Sequence, residues 1–183
     1  MTAEQVQRAQ RGDHEAFESL IRDAYARLFS IAYHILRDRS AAEDATQDAI
    51  VRCWREVRGL RDPDRFEAWL HKLVVNTCRD QGRRARRRPA VAYDAIPDRG
   101  APIDDFARVA DQDQLDRAFM TLPADQRIVL VLTHYAGYAA SDIALIVNVP
   151  IGTVYSRLHY GLRAMRRALG EPTEPRAATE PSR

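Results

Sequence analysis

Cysteine is scarce in this sequence, and long apolar runs are missing from it. The 183 residues include two cysteines, Cys53 and Cys78, which are too few for a disulfide framework or a cysteine-rich zinc site. Cys53 lies on an apolar helical stripe and is predicted to be a small buried hydrophobe, whereas Cys78 receives no predicted role. No apolar run approaches the length of a membrane span, and the N-terminus lacks a secretory hydrophobic region. We therefore expect a cytoplasmic protein.

Catalytic motifs are missing from the sequence as well. The five histidines are scattered, with no HExxH or CxxC motif and no serine or cysteine nucleophile in a recognisable setting. There is no glycine-rich phosphate-binding loop. A metal site built from His71, Cys53 and Cys78 gains no support from the spacing of these residues. The sequence therefore predicts no enzymatic activity, no cofactor, no metal site and no small-molecule substrate.

The net charge is small, but the charges are unevenly distributed along the chain. The formal net charge is +2, yet six arginines fall between Arg79 and Arg88. Seven aspartates follow between Asp94 and Asp116. A cationic block beside an anionic one predicts a polyanionic partner, together with a segment that avoids or imitates that partner.

The apolar residues recur at helical spacing, and no segment alternates as a strand would. We predict an all-α protein of two small helical domains joined by a flexible acidic linker. Helices are expected over about 3–11 and 14–37, from Ser40 with Glu43 completing a capping box, and from about Arg65. The predicted divisions are an N-terminal domain (1–87), a linker (88–111), a C-terminal domain (112–169) and a disordered tail (170–183).

A helix-turn-helix is predicted over residues 141–158, SDIALIVNVPIGTVYSRL. Asn148 stands at the break, where a left-handed backbone is often needed, and Pro150 presets the start of the second helix. The outer face of the second helix carries small residues near its N-terminus and basic residues farther along. That gradient suits a helix that enters a DNA major groove. An ordinary helical hairpin with a solvated basic face is the alternative.

The helix that begins near Arg65 carries a second cationic face. Lys72, Asn76, Arg79, Arg83 and Arg86 recur at increments of four and three, which aligns them on one side. Lysine and arginine neutralise phosphates, and asparagine can contact a base edge. A solvated face is the alternative, and the near absence of compensating acids other than Asp80 argues against it. We expect Asp80 to pair with Arg84, four residues later.

The helix from Ser40 has a different outward face, with an acidic and amide row that includes an exposed valine. Such a face is unsuited to nucleic acid and compatible with docking on a protein, although an ordinary polar surface fits equally well. We predict that its inward stripe includes Cys53 and Trp54. The aromatic rings of Phe66 and Trp69, on the following helix, are expected to pack in the core rather than stack on bases.

Taken in order, three blocks of this sequence resemble the extracytoplasmic-function (ECF) group of the sigma-70 family. AAEDATQDAIVRCWR (41–55) is similar to the family's helix that docks on the β′ clamp helices of RNA polymerase. FEAWLHKLVVNTCRDQGRR (66–84) is similar to its reader of the promoter −10 element, and LPADQRIVLVL with the helix-turn-helix (122–169) to its −35 reader. The resemblance implies a sigma factor that binds core RNA polymerase and directs promoter-specific transcription initiation.

The resemblance also implies roles for individual residues. Contacts with the −10 element are implied for Lys72, Asn76, Arg79, Asp80, Arg83 and Arg84. Contacts with the −35 element are implied for Thr153, Ser156, Arg157, His159, Tyr160 and Arg163. Docking on core polymerase is implied for Asp44, Gln47, Asp48, Val51 and Arg55.

The implied partners are core RNA polymerase, through its β′ clamp helices and β flap, promoter DNA, and an anti-sigma factor that could hold the protein at the inner face of the membrane. The sequence departs from the family at Tyr155, Asn148 and Ala139, where the family usually has Lys or Arg, Gly and Ser. The −35 preference is therefore expected to differ from the familiar one. A stand-alone helix-turn-helix regulator is the alternative function, but it would need neither the 41–55 block nor the arginine helix. A metal-dependent enzyme lacks a ligand set.

Overall fold

The computed structural model describes residues 2–87 and 114–170, with side chains given for all of them except 84–87. Within these two ranges every regular element is helical, as the apolar spacing predicts. The predicted linker (88–111) lies outside the described residues, as does the predicted tail beyond residue 170. The first four helices are α1 (Ala3–Gln10), α2 (His14–Leu36), α3 (Arg39–Glu56) and α4 (Phe66–Arg87).

Side-chain caps set where the first two helices begin. The Thr2 side chain accepts from the Gln5 backbone N–H, and the Gln5 side chain accepts from the Thr2 N–H, which completes a capping box at α1. At α2 the Asp13 carboxylate accepts from the Ala16 N–H at 3.0 Å. This hydrogen bond, and a second one from Arg8, hold the pKa of Asp13 below its usual range.

The capping box predicted for α3 is wrong. Asp38, not Ser40, is the N-cap residue, and its carboxylate accepts from the Ala41 N–H at 2.7 Å. Two residues lie between the helices: Arg37, the C-cap of α2 in a left-handed conformation with φ of 54°, and Asp38, the N-cap of α3. Ser40 lies inside the first turn of α3, and Glu43 pairs with Arg39 at 3.1 Å instead of capping.

Two short 3₁₀ turns, Val57–Gly59 and Pro63–Arg65, connect α3 to α4. The Gln10 side chain at the end of α1 donates to the carbonyl oxygens of Val57 at 3.0 Å and Leu60 at 2.7 Å. A loop carbonyl that accepts no ladder hydrogen bond needs such a partner. These two bonds hold the connection against α1.

The C-terminal helices are α5 (residues 114–120), α6 (Ala124–Leu130), α7 (Ala140–Val147) and α8 (Ile151–Ala168). A π-helical turn, Val131–Tyr135, extends α6. Between α7 and α8, Asn148 adopts φ 55° and ψ 55°, so the left-handed break predicted there is confirmed. A Cβ on Gly161 of α8 would lie 3.1 Å from Leu130 Cδ1, so glycine lets α8 approach α6 closely at this point.

The buried side chains of both halves form one continuous apolar cluster. Helix α4 packs against α3 on one side and α7 on another, so it joins the two halves. Cys53 and Cys78 are both buried, which confirms the prediction for the first and places the second in the core. Trp54 was predicted to face inward, but it is 37% exposed and packs at the surface on the rings of His14 and Phe17.

Candidate nucleic-acid interface

Helix α4 carries the predicted −10 face along its length. Phe66 at its start is buried, and Trp69 packs against the core as predicted. Of the predicted contacts, Lys72, Asn76, Arg79 and Asp80 are half-buried and Arg83 is exposed. Arg84 and Arg86 lie in the helix, but their side chains are outside the described ones.

Asp80 forms an ion pair with a residue on a neighbouring helix. Its carboxylate lies 3.3 Å from Arg52 Nη2 on α3, twenty-eight positions earlier in the sequence. The side chain of Arg84, the partner predicted from i,i+4 spacing, lies outside the described ones. A partner on a neighbouring helix, such as Arg52, cannot be read from sequence spacing. The pair ties α3 to α4 at the level of the cationic face.

Arg79 is held against the C-terminal half of the chain. Its Nε donates to Asp125 Oδ1 at 3.1 Å, and its Nη1 donates to the Val147 carbonyl at 3.3 Å. Val147 is the last residue of α7, where carbonyl oxygens lack helical partners and attract cations. Only 18% of the Arg79 side chain remains exposed. The cationic face of α4 is therefore partly covered by α6 and α7.

The same carboxylate also binds a residue of the predicted −35 face. Arg157 Nη2 donates to Asp125 Oδ2 at 2.7 Å, and the Arg157 side chain is 21% exposed. Asp125 thus brings together an arginine predicted to contact the −10 element and one predicted to contact the −35 element. Sequence reasoning missed Asp125, since an acid in the first turn of a helix is commonplace and gives no sign of a distant partner.

The rest of the predicted −35 face lies open on α8. Ser156, His159, Tyr160 and Arg163 are exposed and Thr153 is half-buried. The Ser156 hydroxyl donates to the Thr153 carbonyl at 3.0 Å.

Tyr155, one of the three departures from the family pattern, is 58% exposed on α8. Ala139, another departure, is the N-cap of α7 and makes no side-chain capping bond. The helix-turn-helix therefore presents an accessible surface on which two departures lie.

The predicted docking face of α3 is also open. Asp44, Gln47, Asp48 and Arg55 are exposed, and Val51 exposes 47% of its surface. Val51 is an exposed apolar side chain among acidic and amide residues. Such a surface is compatible with a binding site for another protein. None of these five side chains takes part in the contacts of α4 with α6 and α7 described above.

A buried polar pair reinforces the contact between the two halves. His71 of α4 is 1% exposed, and its Nδ1 lies 2.5 Å from the Tyr138 hydroxyl. Burial lowers the pKa of His71 to about 4, with the charge of Arg27 adding to the effect, and burial raises the pKa of Tyr138 to about 12. Both groups are therefore neutral near pH 7, and the hydroxyl can donate to Nδ1. Arg27 itself donates to the Ala136 carbonyl at 3.1 Å.

The cysteines and histidines do not converge on a metal site in the described part of the chain. Among those residues there is no group of three or more His, Cys, Asp or Glu side chains placed to hold an ion. Burial raises the pKa of both thiols, Cys53 and Cys78, to about 12, which keeps them protonated. None of the described helices is long and apolar enough to cross a bilayer.

Comparison with protein families finds two matches in chain order. Residues 20–88 match the model of sigma-70 region 2, and residues 112–165 match that of sigma-70 region 4. The first match contains α3 and α4, with the predicted docking and −10 faces, and the second contains the helix-turn-helix.

Two similar proteins show the same relationship over most of their length. The ECF RNA polymerase sigma factor SigM of Mycobacterium tuberculosis is 34% identical over 166 residues, covering 87% of this chain and 80% of that protein. The RNA polymerase sigma-H factor of Pseudomonas aeruginosa is 28% identical over 176 residues, covering 90% of this chain and 91% of its own.

Solved structures share the fold. CnrH, solved in complex with the cytosolic domain of CnrY, aligns with a TM-score of 0.68 at 22% identity, covering 92% of this chain and 96% of that one. The sigma factor RpoE of Bartonella quintana, solved with the anti-sigma factor NepR, aligns with a TM-score of 0.67 at 23% identity, covering 84% of this chain and 96% of its own.

Proposed function

Because this chain belongs to the ECF group of the sigma-70 family, we propose that it binds core RNA polymerase and directs promoter-specific transcription initiation through three separate faces. The observation that carries the proposal is the order of the two family regions, 20–88 and 112–165, over one helical fold that presents a docking face and two basic faces. The division into 1–87, 88–111, 112–169 and 170–183 follows that order.

The −10 element would be melted and held by α4. Lys72, Arg79, Arg83 and Arg84 supply positive charge for the phosphates of the non-template strand, and Asn76 supplies an amide for a base edge. Asp80 would act indirectly, by holding Arg52 of α3 beside the cationic face of α4. Capture of an unstacked base by stacking and edge hydrogen bonds requires no catalytic group.

The −35 element would be read as duplex DNA by α8. Thr153, Ser156 and Arg157 lie toward its N-terminal half, which in helix-turn-helix proteins contacts base edges. His159, Tyr160 and Arg163 follow on exposed positions, from which they can reach the flanking backbone. Tyr155 adds an aromatic surface where a cation is usual, so we expect a −35 preference of its own.

Core polymerase would be engaged mainly through α3. Asp44, Gln47, Asp48, Val51 and Arg55 offer the charge and the apolar contact that a docking helix needs, and the expected acceptor is the β′ clamp helices. The C-terminal domain would contact the β flap, and an anti-sigma factor is the expected regulator. We further propose that the protein is cytoplasmic or held at the inner membrane face by that regulator.

The protein would catalyse no reaction of its own. It supplies the specificity with which the polymerase starts, and it needs no cofactor or small-molecule substrate for that role. A stand-alone helix-turn-helix regulator would use α8 alone and would leave the region 2 match and the α3 face without a purpose.

Run-off transcription with purified core polymerase tests the proposal. We expect promoter-dependent transcripts when this protein is added to core on stress-type promoters, and none from either component alone. If the protein binds promoter DNA tightly by itself and never redirects core, the stand-alone regulator is the better description.

A further inference from the structure

The N-terminal half of α8 exposes two large apolar side chains that lie next to each other. Ile151, the first residue of the helix, exposes 45% of its surface, and Tyr155 exposes 58%. The two residues are four positions apart, so their side chains lie one turn apart on the same side of α8. A single exposed apolar residue is ordinary on a protein surface, whereas adjacent large ones point to a contact with another molecule.

The one cationic side chain in this half of α8 is held by a neighbouring helix. Arg157 is the one lysine or arginine among residues 151–158, and its Nη2 donates to Asp125 Oδ2 of α6 at 2.7 Å. Only 21% of the Arg157 side chain is exposed. Guanine is most often recognised by an arginine or lysine that donates to its O6 and N7 atoms. In this half of α8 the outer surface therefore consists of Ile151 and Tyr155 and not of a cation.

Gly152, between these two residues, leaves the helix surface open. A Cβ at this position would have no heavy atom within 4 Å, and the φ of Gly152 is not positive, so neither packing nor backbone conformation requires glycine. Glycine within a helix lowers stability relative to alanine. Because the fold gains nothing from Gly152, its missing side chain points to another molecule that approaches the helix backbone closely here.

Ser156, one position after Tyr155, adds a hydrogen-bond acceptor to this surface. Its hydroxyl donates to the Thr153 carbonyl at 3.0 Å, which leaves the lone pairs of the Ser156 oxygen for a partner that donates. In the DNA major groove adenine offers such a donor, its N6 amino group, and the paired thymine offers a 5-methyl group. Cytosine offers a donor but no methyl group. Apolar side chains beside an acceptor therefore match an A·T base pair.

The charges farther along α8 indicate that the contacting molecule is duplex DNA. Arg163, Arg166 and Arg167 are all exposed in the C-terminal half of the helix. Exposed arginines beside an apolar contact surface provide the phosphate contacts that position a helix on DNA. The N-terminal half can then contact base edges while the C-terminal half contacts the phosphate backbone.

We propose that Ile151 and Tyr155 form a thymine-reading surface, which contacts the 5-methyl groups of thymines in the −35 element and selects A·T pairs there. This inference rests on the proposed function, because it takes α8 as the reader of the −35 element. Apolar contact with the thymine methyl group is one of the ways in which proteins distinguish bases in the major groove. The surface would replace guanine recognition by the cation that is usual at the position of Tyr155.

Selection of promoters by the holoenzyme gives the first test. Core polymerase with this protein selects from a DNA library in which the −35 region is randomised. We expect A·T pairs at one or two −35 positions, and we expect Tyr155→Arg to change one of them to G·C. Tyr25→Arg, the same exchange at an exposed position on α2, is the control and should leave the selected sequence unchanged. G·C at every selected −35 position, or a selection that Tyr155→Arg does not alter, overturns the proposal.

Replacement of thymine by deoxyuridine gives the second test, since it removes the methyl group alone. At a selected −35 thymine the wild-type holoenzyme should lose about fourfold in affinity, the value of burying one such group. The double variant Ile151→Ala, Tyr155→Ala should bind the thymine and deoxyuridine promoters alike. Replacing a thymine between the −35 and −10 elements is the control. Wild-type affinity that depends on no −35 methyl group overturns the proposal, even if the double variant does not fold.

Gly152→Ala separates the role of this position in DNA binding from its role in the fold. The free protein should unfold at a higher temperature, because alanine is the better helix former. The holoenzyme should bind a duplex that carries the −35 region alone at least about threefold more weakly, because the added Cβ blocks the close approach. Gly82→Ala is the control, since Gly82 of α4 also has nothing within 4 Å of its Cβ position. It should raise the unfolding temperature without changing that affinity. Undiminished binding by Gly152→Ala would overturn the close contact.

Run-off transcription separates failure of this inference from failure of the proposed function. Promoter-dependent transcripts from selected promoters, with no dependence on −35 methyl groups, overturn the thymine-reading surface and leave the proposed function standing. Absence of any promoter-dependent transcript with core polymerase overturns the proposed function, and the inference with it.

Discussion

At the scale of single residues, His71 is a titratable group buried in the core. Its ring is buried on α4, its Nδ1 is paired with the Tyr138 hydroxyl, and its pKa is lowered to about 4. A neutral imidazole is compatible with that environment, and an imidazolium is not, because it would lose hydration beside the positive charge of Arg27. The fold therefore depends on this histidine remaining unprotonated.

We expect His71 to make the protein sensitive to mild acid. Its pKa is about 4 when folded and about 6.5 when unfolded, so the unfolded chain binds more protons between these values. The stabilisation is complete above pH 6.5 and is lost as the pH falls toward 4, with about 2 kcal/mol gone at pH 5.

Urea unfolding at pH 7 and pH 5 measures this effect in the wild type and in His71→Gln. The wild type should lose more free energy of unfolding over that interval than His71→Gln, which has no group to protonate. His134→Gln, at an exposed position, serves as the control and should behave like the wild type. Equal losses in the wild type and His71→Gln would show that His71 titrates normally in the folded protein.

At the scale of helices, the start of α3 depends on Asp38. Its carboxylate accepts from the Ala41 N–H, whereas Ser40, the residue that sequence pattern favoured, lies within the helix. We expect Asp38→Ala to lower the free energy of unfolding by about 1 kcal/mol, the usual cost of losing an N-cap. Ser40→Ala should change it by less than about 0.5 kcal/mol, since alanine is the better helix former at that position. Chemical denaturation of both variants measures these losses. A larger loss for Ser40→Ala than for Asp38→Ala would show that Ser40 is the cap.

Sequence pattern predicted where the helices lie more reliably than it predicted which residue caps them. Apolar spacing located the starts of the first four helices to within a residue or two, and the left-handed break at Asn148 followed from its position between two periodic segments. The cap was misplaced because Asp38 and Ser40 are both good N-cap residues, and the choice depended on Arg37 ending α2 in a left-handed turn. Which of two neighbouring N-cap candidates is used depends on the backbone conformation, and a pattern of apolar residues carries no information about that conformation.

In the candidate site as well, features on one helix could be predicted from sequence and contacts between helices could not. The docking face and the two basic faces could be listed from helical periodicity, because each lies on one side of one helix. The contact of Arg79 with Asp125 could not, because it joins residues 46 positions apart on helices whose packing depends on the whole core. For the same reason Arg52 was not foreseen as the partner of Asp80.

The proposed −10 face of α4 offers two kinds of DNA contact, and they should be separable. Lysine contacts phosphates in any strand, whereas Asn76 can recognise a base only after the duplex has opened. We expect Asn76→Ala to reduce open-complex formation about tenfold, with little effect on closed-complex binding. Lys72→Ala is the control and should weaken both steps alike.

Permanganate reactivity of melted thymines measures open-complex formation, and mobility shift on ice measures closed-complex binding. Equal losses in both steps for Asn76→Ala would remove its role as a reader of the opened strand.

At the scale of the whole molecule, the three proposed functional faces differ in accessibility. Contacts between the two halves cover Arg79, while the α3 face with Asp44, Gln47, Asp48 and Val51 stays open. Arg157 is covered from within the C-terminal half, by Asp125 of α6. The proposed docking face is therefore accessible in this arrangement, whereas part of the proposed −10 face is not.

The proposed docking face of α3 can be tested apart from the rest of the molecule. The double variant Asp44→Arg, Asp48→Arg reverses two exposed charges on that face, and we expect it to weaken core binding by at least about tenfold. Asp23→Arg, exposed on α2, is the control for added positive charge and should bind core as the wild type does. Titration of labelled protein with core measures the affinity, and far-UV circular dichroism of the free double variant should match the wild type, because both residues are exposed. Undiminished core binding by the double variant would show that polymerase docks elsewhere. Lost binding together with lost helical circular dichroism would show that the substitutions act through the fold and not through the docking face.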